Sequence, residues 1–214
     1  PMKVLKFGGT SVGAVESIKS VLEIVKASHD NGEKPLVVLS AMSGVTNMLT
    51  QMAENAAERK SFTEDIKLLE EKHFDVVKQL IAIKYQNPVF TKLKLMLNEL
   101  EEILQGVYAL KELSLQSKDL IVSFGERFSN YMVSKIMEQY ISDAIYVDAS
   151  HYIKTNSNFG NAQVNEELTT SLINSLNHSH EGKLMFVTGF IGSNEAGRVT
   201  TLGRGGSDYT AAIF

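Results

Sequence analysis

The sequence predicts an α/β fold: a mainly parallel sheet sandwiched by helices, with a helical excursion near residues 48–113. Three observations carry this expectation. Lys3 to Phe7 (KVLKF) is short and β-prone, runs directly into Gly8-Gly9-Thr10-Ser11, and is followed by Val15, Ile18, Val21, Leu22 and Val25 at helical spacing. Leu36-Val37-Val38-Leu39 is apolar throughout, as a strand buried on both faces must be, and opens into the small polar turn Ser40–Asn47. Two strand–turn–helix units in succession imply parallel strands joined by right-handed crossovers. The third observation is the pair of apolar stripes in the excursion, Ile66, Leu69, His73, Val76, Leu80 and Ile83, then Leu93, Leu97, Leu100, Leu104 and Val107.

The remaining elements follow in order. Asn87-Pro88 is predicted to break the excursion, because the residue before proline is pushed out of the helical region. The stripes are too short to sustain a coiled coil and read as helices packed on the sheet. His73 lies on an apolar stripe without partner ligands at metal spacing, so it reads as a core histidine. Ser117 is predicted to cap a helix carrying Leu120, Ile121, Phe124, Phe128, Met132 and Ile136. Gly125 inside that helix costs about 1 kcal/mol relative to alanine, which points to close packing or a closely approaching ligand. Ala144–Val147 is a third strand, and His151–Asn165, rich in Asn, Ser and Thr and without a period, reads as a mobile loop. A helix over Glu166–Leu176 precedes a fourth strand, Leu184–Thr188. Ile191–Thr201, with Asn194, Glu195 and Gly197 at its turn, reads as a hairpin that delivers the chain to LGRGGSDYTAA at Leu202–Ala212. No repeat, low-complexity tract or linker divides residues 1–214, which read as a single domain.

Composition narrows the function. With 214 residues and 43% hydrophobic content the chain can bury a sizeable core. A formal charge of −4 with scattered Lys and Arg argues against nucleic acid or a membrane surface as the main partner. The absence of cysteine excludes disulfide scaffolds, thiolate metal sites and thiol catalysis. No apolar run approaches the roughly 20 residues of a membrane helix, and Lys3 and Lys6 interrupt the N-terminal apolar segment, so a cytoplasmic location is expected. The sequon Asn177-His178-Ser179 then reads as a chance match, and Pro1 as a residue ahead of a native start at Met2.

Ligands of open parallel sheets bind at the carboxyl ends of the strands. The turns Lys6–Ser11, Ser40–Asn47 and Gly189–Ser193 fall there, and the hairpin brings Gly203–Asp208 to join them. In that last turn Gly203, Gly205 and Gly206 permit crowded or left-handed backbone, Arg204 is presented from the turn, and Ser207 or Asp208 can cap the following helix. Glycines, an arginine and a helix start together suit an anion. Lys6 is a charge at the end of a strand expected to be buried, so an anion or a carboxylate such as Asp208 is expected beside it. This is not a Walker A loop, in which the lysine follows the glycines, and no GxGxxG turn supports a dinucleotide site.

KFGGTSV (Lys6–Val12), VVLSAMSGVTN (Val37–Asn47), SFGER (Ser123–Arg127) and GFIGSNEAGRVTTLGRGGSDYTAA (Gly189–Ala212) resemble the aspartate kinases (aspartokinases) of the amino acid kinase superfamily. KTNSNFGNA at Lys154–Ala162 is similar to that family's flexible loop. The motifs run in the family's order over almost the whole chain. The resemblance implies a carbamate kinase-like sandwich and transfer of the ATP γ-phosphoryl group, with Mg²⁺, to the β-carboxylate of L-aspartate, the first step towards Lys, Thr and Met. A carboxylate of pKa about 3.9 is already ionised at neutral pH and needs no general base. Catalysis is then expected from positioning and charge neutralisation. By the family pattern Lys6 stabilises the transferring group, with the N–H groups of Gly8 and Gly9 and with Ser11 at the phosphates, and Asp208 orients Lys6. Arg204 grips a substrate carboxylate, Glu126 takes the α-ammonium, and Ser40, Thr46 and Ser207 add hydrogen bonds. No residue is assigned as a metal ligand. For Glu126 the plain alternative is an exposed helix glutamate, which its motif context disfavours.

The chain departs from the family pattern at its end, where a WTDVDG-like motif, the ATP-binding half and the regulatory ACT domains do not appear. It therefore reads as the amino-acid-binding N-terminal part of a larger enzyme, expected not to phosphorylate aspartate alone, its full-length parent expected to be a homo-oligomer. Two other classes stay open: a kinase of the same superfamily acting on another carboxylate, and a non-catalytic amino-acid-binding module.

Overall fold

The computed structural model describes residues 2–203 and 206–214, without the side chains of Met2, Ser207 and Asp208. β1 (Met2–Phe7) passes through a 3-10 turn (Gly9–Val12) into α1 (Val15–Asp30), and β2 (Lys34–Leu39) leads into α2 (Val45–Ala57). The excursion continues with α3 (Thr63–Leu80) and α4 (Ile83–Leu110), and α5 (Leu115–Glu138) returns the chain to β3 (Ala144–Val147). α6 (Glu166–Ser179), β4 (Leu184–Thr188), the hairpin β5 (Ile191–Ser193) and β6 (Val199–Thr201), and α7 (Gly206–Ile213) complete it.

The main sheet has the order β1-β2-β4-β3 and is parallel throughout, as the apolar strands predict. Phe7 pairs with Leu39 and Leu39 with Thr188, so the carboxyl ends of β1, β2 and β4 lie level. The period of two is visible in the packing. Val37, Leu39, Leu184 and Phe186 enter one core with α1–α5, whereas Leu36, Val38, Met185 and Val187 enter a smaller core on the opposite face with Leu176 and Leu202. Both faces of β2 and β4 are thus covered, which is why their sequences do not alternate. No helix among the described residues is long and apolar enough to cross a membrane.

Four local expectations are corrected. The break between α3 and α4 falls at Ile81 and Ala82, and Pro88 lies inside α4. So near a helix start a proline removes only one early helical bond, and the Gln86 side chain ties the junction by donating to Ile81 O at 2.8 Å. Ser114 caps α5 through Ser117 N at 3.0 Å, in place of Ser117. β1 has one strand neighbour among the described residues, and Lys6 on it is exposed, so its charge is not buried within the sheet. The stretch 151–165 is pinned to its surroundings: Thr155 N donates to Ser193 O (2.8 Å) and Ala162 N to Thr201 O (2.9 Å). Buried Asp119 on α5 completes this tie, accepting from Gly160 N (2.8 Å) and from Thr201 N and Oγ1 (2.9 Å each).

His73 is the core histidine that its stripe predicts. Its Nδ1 lies 2.8 Å from Leu69 O and its ring packs on Phe128, while Nε2 has no hydrogen-bond partner among the described residues. Burial holds its pKa down, at about 4 against the ordinary 6.5. The unfolded chain therefore takes up this proton first as pH falls, so the stability contributed by the neutral ring is full above 6.5 and is lost towards 4. His73→Leu is expected to flatten the loss of stability across that interval by about 3 kcal/mol at most. Urea unfolding at several pH values measures this, and an unchanged pH slope would refute it.

Candidate active site

A cleft of about 610 Å³ lies at the carboxyl ends of β1 and β2. Its walls are the β1 end (Lys6, Gly9, Thr10), the β2–α2 turn (Ser40 to Gly44, Thr46, Asn47), Glu126 of α5, and Phe190, Gly203 and Gly206 from the hairpin and α7. The turns predicted to converge at the strand ends do so. Lys6, Gly9, Ser40, Thr46 and Glu126 share the cleft; Ser40 is half-buried and Thr46 exposed at the start of α2. Gly8 and Ser11 are not in its lining, and the Ser11 N–H is committed to the 3-10 turn, donating to Gly8 O at 3.1 Å. Arg204 and Gly205, and the side chains of Ser207 and Asp208, lie outside the described residues.

Glu126 is the most perturbed group of the cleft. It is only 5% exposed; Oε1 accepts from Ala41 N at 3.3 Å, and Oε2 is buried with no hydrogen-bond partner among the described residues. Burial pushes its carboxyl up to about 7, against the ordinary 4.5, although the Ala41 N–H favours the charged form. A carboxylate withdrawn from water with one oxygen left over is costly and suits a cationic donor. Lys6 is the other charged side chain of the lining among the described residues.

Helix α5 reaches this position because residue 125 is glycine. A Cβ there would stand 2.7 Å from the Ala41 Cβ, with Leu49 and Val45 next nearest. The close packing inferred from the sequence is therefore contact with the β2–α2 turn. Sequence reasoning missed the groups that fasten the contact. Ser129 Oγ donates to Ser40 O at 2.7 Å, and the Asn130 carboxamide accepts from Leu39 N (3.2 Å) and donates to Leu39 O (2.9 Å). Their signal is an adjacent Ser and Asn, poor helix formers, in the middle of the helix between the apolar Phe128 and Met132. Phe190 was also unassigned. It holds a left-handed backbone (φ 74°), its N–H donates to Thr210 Oγ1 at 3.2 Å, and a Cβ at Gly206 would come within 2.9 Å of its ring.

Gly125→Ala should destabilise the fold by about 1–3 kcal/mol through overpacking, despite a helix-propensity gain of about 1 kcal/mol. Ala41→Gly should recover most of this loss when combined with it. A double mutant that shows simple additivity in chemical denaturation would mean that the helix and the turn are not in contact here.

The amino acid kinase family model matches residues 1–214. Aspartokinase 1, chloroplastic, of Arabidopsis thaliana is 35% identical over 99% of this chain and 37% of its own length. Lysine-sensitive aspartokinase 3 of Escherichia coli is 33% identical over 99% of this chain and 45% of its own. The crystal structure of E. coli aspartokinase III with aspartate and ADP superposes with a TM-score of 0.88 at 32% identity, covering 100% of this chain and 46% of that one. The chain thus spans less than half the length of these relatives. A four-stranded parallel sheet flanked by helices, a glycine-lined cleft at its strand ends and a match over every residue lead to one assignment: the chain belongs to the amino acid kinase family.

Proposed function

We propose that this chain is the amino-acid-binding part of a phosphotransferase that moves the ATP γ-phosphoryl group to the β-carboxylate of L-aspartate. The observation that carries the reading is the buried Glu126 carboxylate, which lines the cleft that also holds Lys6 and keeps one oxygen without a hydrogen-bond partner among the described residues. An α-ammonium satisfies that oxygen and offsets the cost of the buried charge. The reading is supported by aspartokinases at 33–35% identity over 99% of the chain and by the relative solved with aspartate and ADP. Lys6 then faces the reacting phosphoryl group with the backbone N–H groups of Gly8 and Gly9, and Asp208 orients it. Ser40, Thr46 and Ser207 hydrogen-bond the substrate, Arg204 grips its carboxylate in two-point fashion, and Ser11 supports the phosphate turn.

No group of three or more His, Cys, Asp or Glu among the described residues could hold a metal ion. In kinase sites Mg²⁺ keeps several waters and is held by one or two carboxylates together with substrate phosphates, without a dedicated protein cage. When bound, Mg²⁺–ATP supplies the phosphoryl group and part of the charge neutralisation. The protein's share is to hold two anions in line, exclude water and present Lys6 where charge develops.

Calorimetry on the 214-residue chain should show aspartate binding that Glu126→Gln weakens by about ten- to a hundredfold, the range for a hydrogen bond between charged groups. Succinate, which lacks the amine, should be nearly indifferent to that change. Because the ligand needs the carboxylate, binding below about pH 7 should release a proton, and affinity should fall as pH is lowered through that value. Equal losses for aspartate and succinate, or preference for acetylglutamate, would sink the assignment.

In the catalytically complete polypeptide, Lys6→Met should lower kcat by about 10²–10³ while leaving aspartate affinity almost unchanged. Trapping aspartyl phosphate as its hydroxamate gives the rate. A variant retaining more than about a tenth of wild-type kcat would remove Lys6 from this role.

A further inference from the structure

We infer that Asn130 is a positioning residue of the acceptor cleft, whose carboxamide locks the Glu126 peptide to the end of β2 and so keeps the Glu126 carboxylate facing the ligand. This rests on the reading of Glu126 as the ammonium receptor. Asn130 is fully buried in the middle of α5, where asparagine is a poor helix former and an unpaired amide would be costly. Both polar atoms of its side chain are engaged. Oδ1 accepts from Leu39 N at 3.2 Å, and Nδ2 donates to Leu39 O at 2.9 Å and to Glu126 O at 2.8 Å.

One planar group therefore bonds both backbone groups of Leu39 and holds the carbonyl of Glu126 in the same grip. Ser129 adds a parallel tie, donating to Ser40 O at 2.7 Å with a longer contact to Glu126 O at 3.3 Å. The next residue of the turn is Ala41, whose N–H orients the Glu126 carboxylate. Leu39, Ser40 and Ala41 are thus bound in succession by Asn130, Ser129 and Glu126. The two cleft walls that would contact an amino acid cannot shift independently while these bonds hold. An aliphatic side chain at position 130 could fill the volume but would lose the three bonds that tie α5 to Leu39 and to the Glu126 carbonyl.

The test uses Asn130→Leu and the milder Ser129→Ala in the 214-residue chain, read by the carbon NMR titration of Glu126 and by calorimetry with aspartate and succinate. Freed from its grip, the carboxylate regains water. Its titration midpoint should then fall by about half a unit or more in Ser129→Ala, and further in Asn130→Leu. Aspartate affinity should fall about tenfold in Asn130→Leu with succinate unchanged, the loss expected when one charged hydrogen bond is misaligned. A packing role alone would lower the unfolding midpoint without moving the titration. Glu126 titrating as in the wild type in Asn130→Leu overturns the inference, and if that variant does not fold, Asn130→Ser, too short to reach both Leu39 and Glu126, decides in its place. Should wild-type protein fail to distinguish aspartate from succinate, the substrate reading is wrong, while the titration still decides what Asn130 does.

Discussion

The site depends on how closely helix α5 approaches the end of β2. At Gly125 the helix backbone meets the Ala41 methyl with no room for a side chain, and three successive backbone positions of the strand end, Leu39 to Ala41, are bonded by Asn130, Ser129 and Glu126. Glycine, serine and asparagine all weaken a helix, so this face of α5 gives up intrinsic helix stability for contact. The remainder of α5 offsets that loss by burial, with Phe124, Phe128, Met132 and Ile136 in the main core.

Two buried carboxylates on α5 show how environment separates structural from ligand-facing groups. Asp119 and Glu126 are about two helical turns apart and project from the same side of the helix. Asp119 accepts three hydrogen bonds, which fasten the 151–165 stretch and β6 to the helix. Burial still raises its pKa, but those bonds oppose the rise. Glu126 lines the cleft with one long hydrogen bond, from the Ala41 N–H, and one oxygen without a partner among the described residues. A group satisfied within the protein has no capacity left for a ligand, whereas an unsatisfied one gains most when a ligand arrives.

Much of the fold was legible in the sequence because its signals are local. Apolar runs in Leu36–Leu39 and Leu184–Thr188, the 3.6-residue stripes and the glycine turns each report a property of a few neighbouring residues. The stretch 151–165 has no period and so reads as mobile, yet its order comes from partners distant in sequence, Asp119 on α5 and Thr201 on β6. The exposure of Lys6 was likewise not local. It follows from the place of β1 in the strand order, which strand composition does not specify.

By itself the sequence determined the alternation of strands and helices, the glycine turns that gather at the strand ends, and, through its motifs, the family to which the chain is similar. Those features depend on residue type and short spacing, where backbone sterics and side-chain periodicity act directly. Only the tertiary structure decided that Gly125 is a packing contact against Ala41, that Ser129 and Asn130 serve the β2 end, and that Glu126 keeps one oxygen without a partner among the described residues. Each of these joins residues more than eighty positions apart, and the desolvation that raises the Glu126 pKa exists only once both walls of the cleft have closed around it.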